Sequence, residues 1–327
     1  MTNQPPEISV TTPVSQAFDR MKLMLFQPFD IGKWFVIGFC AWLAGLGESG
    51  GSFNGNFNNF GNDGHSHNFQ ETLAKVTRYV TENLYWIIPV AVGALIFLLA
   101  LGMVMLWLNS RGKFMFLHCV ALNKAEVKEP WQKFGRVANS LFWFRFVLGL
   151  IGAVLSLPLV AFIAIIVIRM VVRGEPNIGG IFLAAGLTLM LFVLCIGFAL
   201  VQKFTIDFVV PLMFLRGEKC VSAWKEFWSL LTAHAGSFAL YILFKIILAI
   251  VIGLIVVAVV LVTCCIAGCL MLLPYLGTVL LLPVLIFKRA YSVYFLAQFG
   301  PLYDVFPPIA PIPPTGLQPL PAVPPAV

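Results

Sequence analysis

From Phe238 to Phe287 the chain carries one charge, Lys245, and little else that is polar beyond a few hydroxyls. A single helix of that length would run far past the ~30 Å hydrocarbon core that about 20 apolar residues cross. The stretch must therefore fold as two spans, and the break is placed near Thr263 to Gly268. Comparable runs fill most of the chain. Of its 327 residues 60% are hydrophobic and 11% charged, with a mean hydropathy of +0.94. Soluble domains hold roughly 45–50% apolar and about 25% charged residues, so this is an integral membrane protein.

Hydropathy places six spans, at 31–47, 85–108, 144–168, 178–201, 238–262 and 266–288. The expected fold is all-α, a polytopic membrane bundle of these six helices with amphipathic interfacial helices between them. The first span is short, and Lys33, by snorkelling, and Trp34, by anchoring at headgroups, are expected to lengthen it. Pro158 should kink the third span, and Pro274 and Pro283 should bend the sixth. Residues 14–304 form the membrane domain. Before it, 1–13 reads as a disordered arm, and after it the proline-dense 305–327 should sample polyproline II, as a solvated tail. The Gly/Asn-rich stretch 48–69 reads as a flexible outer loop, and no cleavable signal peptide is expected.

Charge fixes the orientation. The stretch from Asn109 to Phe146 alone holds Arg111, Lys113, Lys124, Lys128, Lys133, Arg136 and Arg145. With the N-terminus inside, these residues share one side with Arg20, Lys22, Lys33, Lys203, Arg216, Lys219, Lys225, Lys288 and Arg289. The other side receives only Lys75, Arg78, Arg169 and Arg173. The positive-inside rule then puts both termini in the cytoplasm. The net charge of +7 suits anionic lipid better than nucleic acid, for which no RRM, helix-turn-helix or zinc-finger spacing is present.

An internal repeat is expected. Phe18-Asp19-Arg20-Met21, Trp131-Gln132-Lys133-Phe134 and Trp224-Lys225-Glu226-Phe227 share one pattern of aromatic, polar, polar, apolar. Each lies in an amphipathic helix ahead of an outward span, with Phe18, Trp131, Trp224 and Trp228 as interfacial anchors. In the first of these helices, Val14 to Phe26, Ser15 is the expected cap, and Arg20 is assigned to the polar face. The return spans end alike, at Arg111-Gly112-Lys113, Lys203 and Lys288-Arg289, each a basic break after which apolar residues resume. The predicted unit is interfacial helix, span out, span back and basic break, three times over.

Phe208 to Lys219, followed by Ser222-Ala223-Trp224 and Trp228, resembles the hairpin of bacterial six-span domains related to the glycerophosphodiester phosphodiesterase membrane domain. The resemblance implies a multi-span bundle of the bacterial inner membrane with no assigned role. In the phosphodiesterases a catalytic barrel follows the membrane domain; here a proline tail follows, so that activity is not implied.

No HExxH, G-x-S-x-G, P-loop or Rossmann pattern occurs, so no catalytic residue, metal set or cofactor is expected. The cysteines, most of them in apolar runs, read as buried packing, though Cys264, Cys265 and Cys269 cluster. His118 and His234 read as satisfied interfacial histidines. The candidate site is the set of basic breaks: Arg111, Lys113, Lys203, Lys288 and Arg289, with Asp207 paired to Lys203 one helical turn away. Either they converge on an inward pocket for an anionic headgroup or phosphate, or they only anchor three helix ends. The leading function is a non-enzymatic membrane protein that binds or organises anionic lipid or a partner, and the alternative is a transporter of small solutes or lipid.

Overall fold

A computed structural model describes residues 8–47, 78, 82–173, 178–263, 268, 271 and 273–306. Among the described residues there is helix and no strand. In chain order the helices are α1 (Thr12–Phe26), α2 (Ile31–Gly45), α3 (Leu84–Leu122), α4 (Lys128–Lys133), α5 (Gly135–Arg173) and α6 (Ile178–Phe204). A π-helical turn, Thr205–Val209, joins α6 to α7 (Val210–Arg216). Then follow α8 (Cys220–Ala233), α9 (Ala235–Val262), α10 (Pro274–Leu280) and α11 (Leu282–Ala297). Four stretches are long and apolar enough to cross a membrane: Tyr85–Leu122, Gly135–Met170, Ile178–Arg216 and Ala235–Val262.

Each of these four has two parts. In α3 the apolar residues through Val104 face outward, whereas almost every side chain from Asn109 to Ala121 is buried. The stretch running from α6 into α7 repeats this, outward until the π turn and buried from Thr205 to Met213 apart from partly covered Ile206. α5 and α9 run the opposite way, with buried Leu141 and Tyr241 near their starts and outward apolar residues beyond. Outward apolar surface of this extent is stable only against lipid, where a helix satisfies its own backbone. The packed core thus lies at the more charged ends of the helices.

α1, α2, α8 and α11 complete that core. α2 lies along the last turns of α3, close enough that a Cβ on Gly112 would sit 2.4 Å from the Ala44 nitrogen. α1 packs on α11. Arg20, assigned to the polar face of α1, is buried and donates to the Val120 carbonyl at 3.0 and 3.2 Å and to that of Ala121. These are among the last carbonyls of α3, which lack partners within their own helix. Burial holds the Arg20 guanidinium below its ordinary pKa, with Tyr294 opposing the shift.

Several expectations change. α2 has 15 residues, about 22 Å at helical rise, shorter than a ~30 Å core and than the four long apolar stretches. The expected sixth span is divided into α10 and α11, because Pro274 and Pro283 open helices, where a missing N–H costs nothing, instead of bending one. Arg111 and Lys113 interrupt the hydropathy but not the helix, since α3 runs through them. Pro158 likewise lies inside α5. Helix α1 begins at Thr12, and Ser15 bonds the Thr12 carbonyl within it rather than capping it. Residues inside both expected disordered ends, Ser9 of 1–13 and Phe306 of 305–327, instead pack on the core. Ser9 and Gln298 exchange two hydrogen bonds of 2.8 Å, and Phe306 stacks on Tyr294 at 4.2 Å. The loop 48–69, residues 1–7, the cysteines at 264, 265 and 269, and the tail beyond 306 lie outside the described residues.

Candidate functional site

The site is organised by the π turn. Pro211 has no N–H, and its ring crowds the carbonyl four residues back, that of Asp207. The backbone widens there, with the Val210 N–H bonding the Thr205 carbonyl five residues back. The widening frees the Ile206 carbonyl, which accepts from Arg289 Nη1 at 2.6 Å. Thr205 is held on both sides, donating to the Val201 carbonyl at 2.7 Å and accepting from Trp224 Nε1 at 3.1 Å. One turn further Phe208 meets the rings of Phe227, Phe238 and Tyr241 at 5.3, 5.1 and 4.9 Å, which fixes α8 and α9 against the turn.

Asp207 itself points into the protein, with 7% of its side chain exposed. Its nearest partner is Lys245 on α9, whose Nζ lies 2.5 Å from Oδ2. An ammonium has three hydrogens. Lys245 places them on Asp207, on Tyr241 Oη at 2.9 Å and on Ser292 Oγ at 3.1 Å. Tyr241 Oη also stands 3.3 Å from Asp207 Oδ2. The expected partner, Lys203, is 3.9 Å away and half exposed. Lys245, the one charge in the apolar stretch from Phe238 to Phe287, is the centre of a buried polar cluster that joins the π turn, α9 and α11.

Beside this cluster opens a cleft of about 190 Å³. Lys113 of α3, Lys203 of α6, Lys245 of α9, and Lys288 and Arg289 of α11 line it together with Asp207. Its other walls are small or apolar, among them Ala41, Ala44, Phe116 and Leu285. Among the described residues Asp207 is the one acid on this wall, and Lys288 has no carboxylate within ion-pair distance. The cleft sits where the outward parts of α3, α6 and α9 give way to the core.

Arg111 is not part of it. Its guanidinium lies between the rings of Trp107 and Trp131, 4.6 and 4.7 Å from their centroids, on another face of α3. Of the expected anchors, Phe18 and Trp228 are exposed, Trp131 is held by Arg111, and Trp224 is turned inward onto Thr205. Tyr241, Lys245 and Ser292 were not expected at the site. Tyr241 and Lys245 share a helix face one turn apart, a spacing visible in the sequence.

The histidines differ from each other. His234 meets the Phe299 ring at 5.2 Å. His118, expected to be satisfied, is buried beside Phe134 and Phe214, and neither ring nitrogen has a hydrogen-bond partner. Cys40, Cys119 and Cys220 are buried, as packing residues would be, and Cys195 is exposed on α6.

No curated protein and no solved structure matches the chain. A family model, Family of unknown function (DUF7544), matches residues 8–277, which include α1 to α9 and most of the cleft, and the chain belongs to that family.

Proposed function

We propose that the cleft holds the phosphate of an anionic lipid headgroup, and that the protein binds or organises such lipid without catalysing a reaction. The observation that supports this best is the meeting of Lys113, Lys203, Lys288 and Arg289, drawn from three separate helices, on one apolar-walled cleft. Charge-assisted hydrogen bonds from Lys and Arg are the usual means of holding phosphate. Lys245 already spends its hydrogens on protein oxygens. Contact with a ligand therefore falls mainly to Lys203 and Lys288. The position of the cleft, where lipid-facing helix becomes core, favours a headgroup over free phosphate.

The proposal extends to topology. α2 and the α10–α11 pair enter the bilayer beside the four long helices, making six segments arranged as three hairpins. The basic ends and both termini face the cytoplasm of a bacterial inner membrane. The arrival of a basic residue from each of α3, α6 and α11 at one level supports the threefold repeat.

Native mass spectrometry of the detergent-purified protein tests the lipid reading. Lys203→Ala and Lys288→Ala are expected to lose bound anionic lipid, while Arg111→Ala, outside the cleft, retains it. Excess inorganic phosphate should not displace the lipid from wild type. Equal retention by all variants would sink the proposal. The interrupted helix carrying a buried Asp207–Lys245 pair supports a second reading, transport, since transporters place ionisable groups at helix breaks. Saturable uptake into proteoliposomes, abolished by Asp207→Asn, would favour it.

A further inference from the structure

We infer that His118, Glu126 and Glu129 form a binding site for one divalent transition-metal ion at the junction of α3 and α4, separate from the cleft. A ligand atom from each of the three lies within 4.8 Å of the other two. His118 is 1% exposed, and both its nitrogens lack a hydrogen-bond partner. Its Nε2 faces Glu126 Oε2 at 3.9 Å, and that oxygen is buried and unpartnered too. Two polar atoms removed from water and turned toward each other without a bond are costly, and an ion between them would satisfy both.

The surroundings fit such an ion. Cys119 Sγ lies 3.6 Å from the Glu126 carbonyl and fixes the backbone of that residue. Lys124 stands 3.8 Å from Glu126 Oε1, leaving Oε2 toward the histidine. Metal bonds of about 2.0–2.2 Å to nitrogen and carboxylate oxygen require ligand atoms roughly 3–4 Å apart, so the three must close by about 1 Å. Glu129 lies exposed in the first turn of α4 and can move that far by side-chain rotation. An open groove lined by Glu126, Val127, Lys128, Glu129 and Gln132 gives access for the ion and for waters to complete its coordination. One imidazole with two carboxylates suits Zn²⁺ or Mn²⁺ better than Mg²⁺ or Ca²⁺, which prefer all-oxygen sets.

The test is equilibrium dialysis of the chelator-treated, detergent-purified full chain against Zn²⁺ and, separately, Mn²⁺, with metal per chain read by mass spectrometry. The sequence offers other ligands, at His65, His67 and Cys264 to Cys269, so the comparison with variants decides. Glu126→Gln and Glu129→Gln change one half-buried and one exposed side chain while keeping their shape, and should leave the fold intact. Each is expected to weaken one equivalent of binding by about tenfold or more, the scale of loss seen even for residues that only orient ligands. His118→Gln should remove that equivalent. Wild type binding no metal, or all three variants binding as wild type does, would overturn the site and leave His118 as a histidine facing Glu126 alone.

Discussion

At the scale of single residues the most consequential pair is Asp207 and Lys245. Both are withdrawn from water, and their attraction offsets a desolvation cost that neither could bear alone. Asp207→Asn keeps the shape but leaves the Lys245 ammonium facing neutral oxygens of Tyr241 and Ser292. Breaking a buried pair from one side costs about 3–5 kcal/mol. The expected outcome is a large drop in thermal stability in detergent for Asp207→Asn, with most of it restored when Lys245→Met is added. A single variant as stable as wild type would show that the pair does not hold the π turn to α9 and α11. The sequence reveals Asp207 and Lys203 one turn apart, because that spacing is local. It does not reveal Lys245, which is 38 positions away and joins Asp207 only through the packing of two helices.

At the scale of elements the contact between α2 and α3 decides where the cleft forms. Gly112 lets the two backbones touch, while Asn109 donates 2.6 Å bonds to the Ala44 and Leu46 carbonyls at the end of α2. The Asn109 side-chain oxygen Oδ1 accepts from Arg145 Nη1, tying α5 to the same point. A methyl group at position 112 would lie 2.5 Å from the Leu43 carbonyl carbon, a backbone atom that cannot rotate aside. Gly112→Ala should therefore destabilise the protein by about 1–3 kcal/mol, as overpacking does. It should also reduce lipid retention, because Ala41, Ala44 and Gly45 of α2 form a wall of the cleft. Unchanged melting and lipid binding would mean that α2 can step away from α3 without consequence. The existence of most helices was legible, since long apolar runs have few other solutions. Their ends were less so. Hydropathy marks lipid-facing surface, and from Asn109 to Ala121 the α3 helix continues into protein, where charged and polar residues are as helical as leucine.

For the molecule as a whole, most of the described basic residues lie at one end of the bundle. Arg20, Lys33, Lys113, Lys203, Lys219 and Lys288 all lie toward the core end of the helices, whereas Arg169 lies near the far end of α5. Cations near the ends of spans are retained on the cytoplasmic side, so the core and its cleft should face the cytoplasm. Labelling of single cysteines with a membrane-impermeant maleimide, in a background lacking the native cysteines, tests this. Lys219→Cys, on an exposed turn at the core end, should react in inside-out vesicles and not in intact cells. Thr263→Cys, exposed beyond the far end of α9, should react in intact cells. The reverse pattern would invert the protein and turn the cleft away from the cytoplasm. Labelling of both from one side would mean that α9 does not cross, although its apolar residues from Ile246 to Val262 are largely exposed among the described residues and suit lipid.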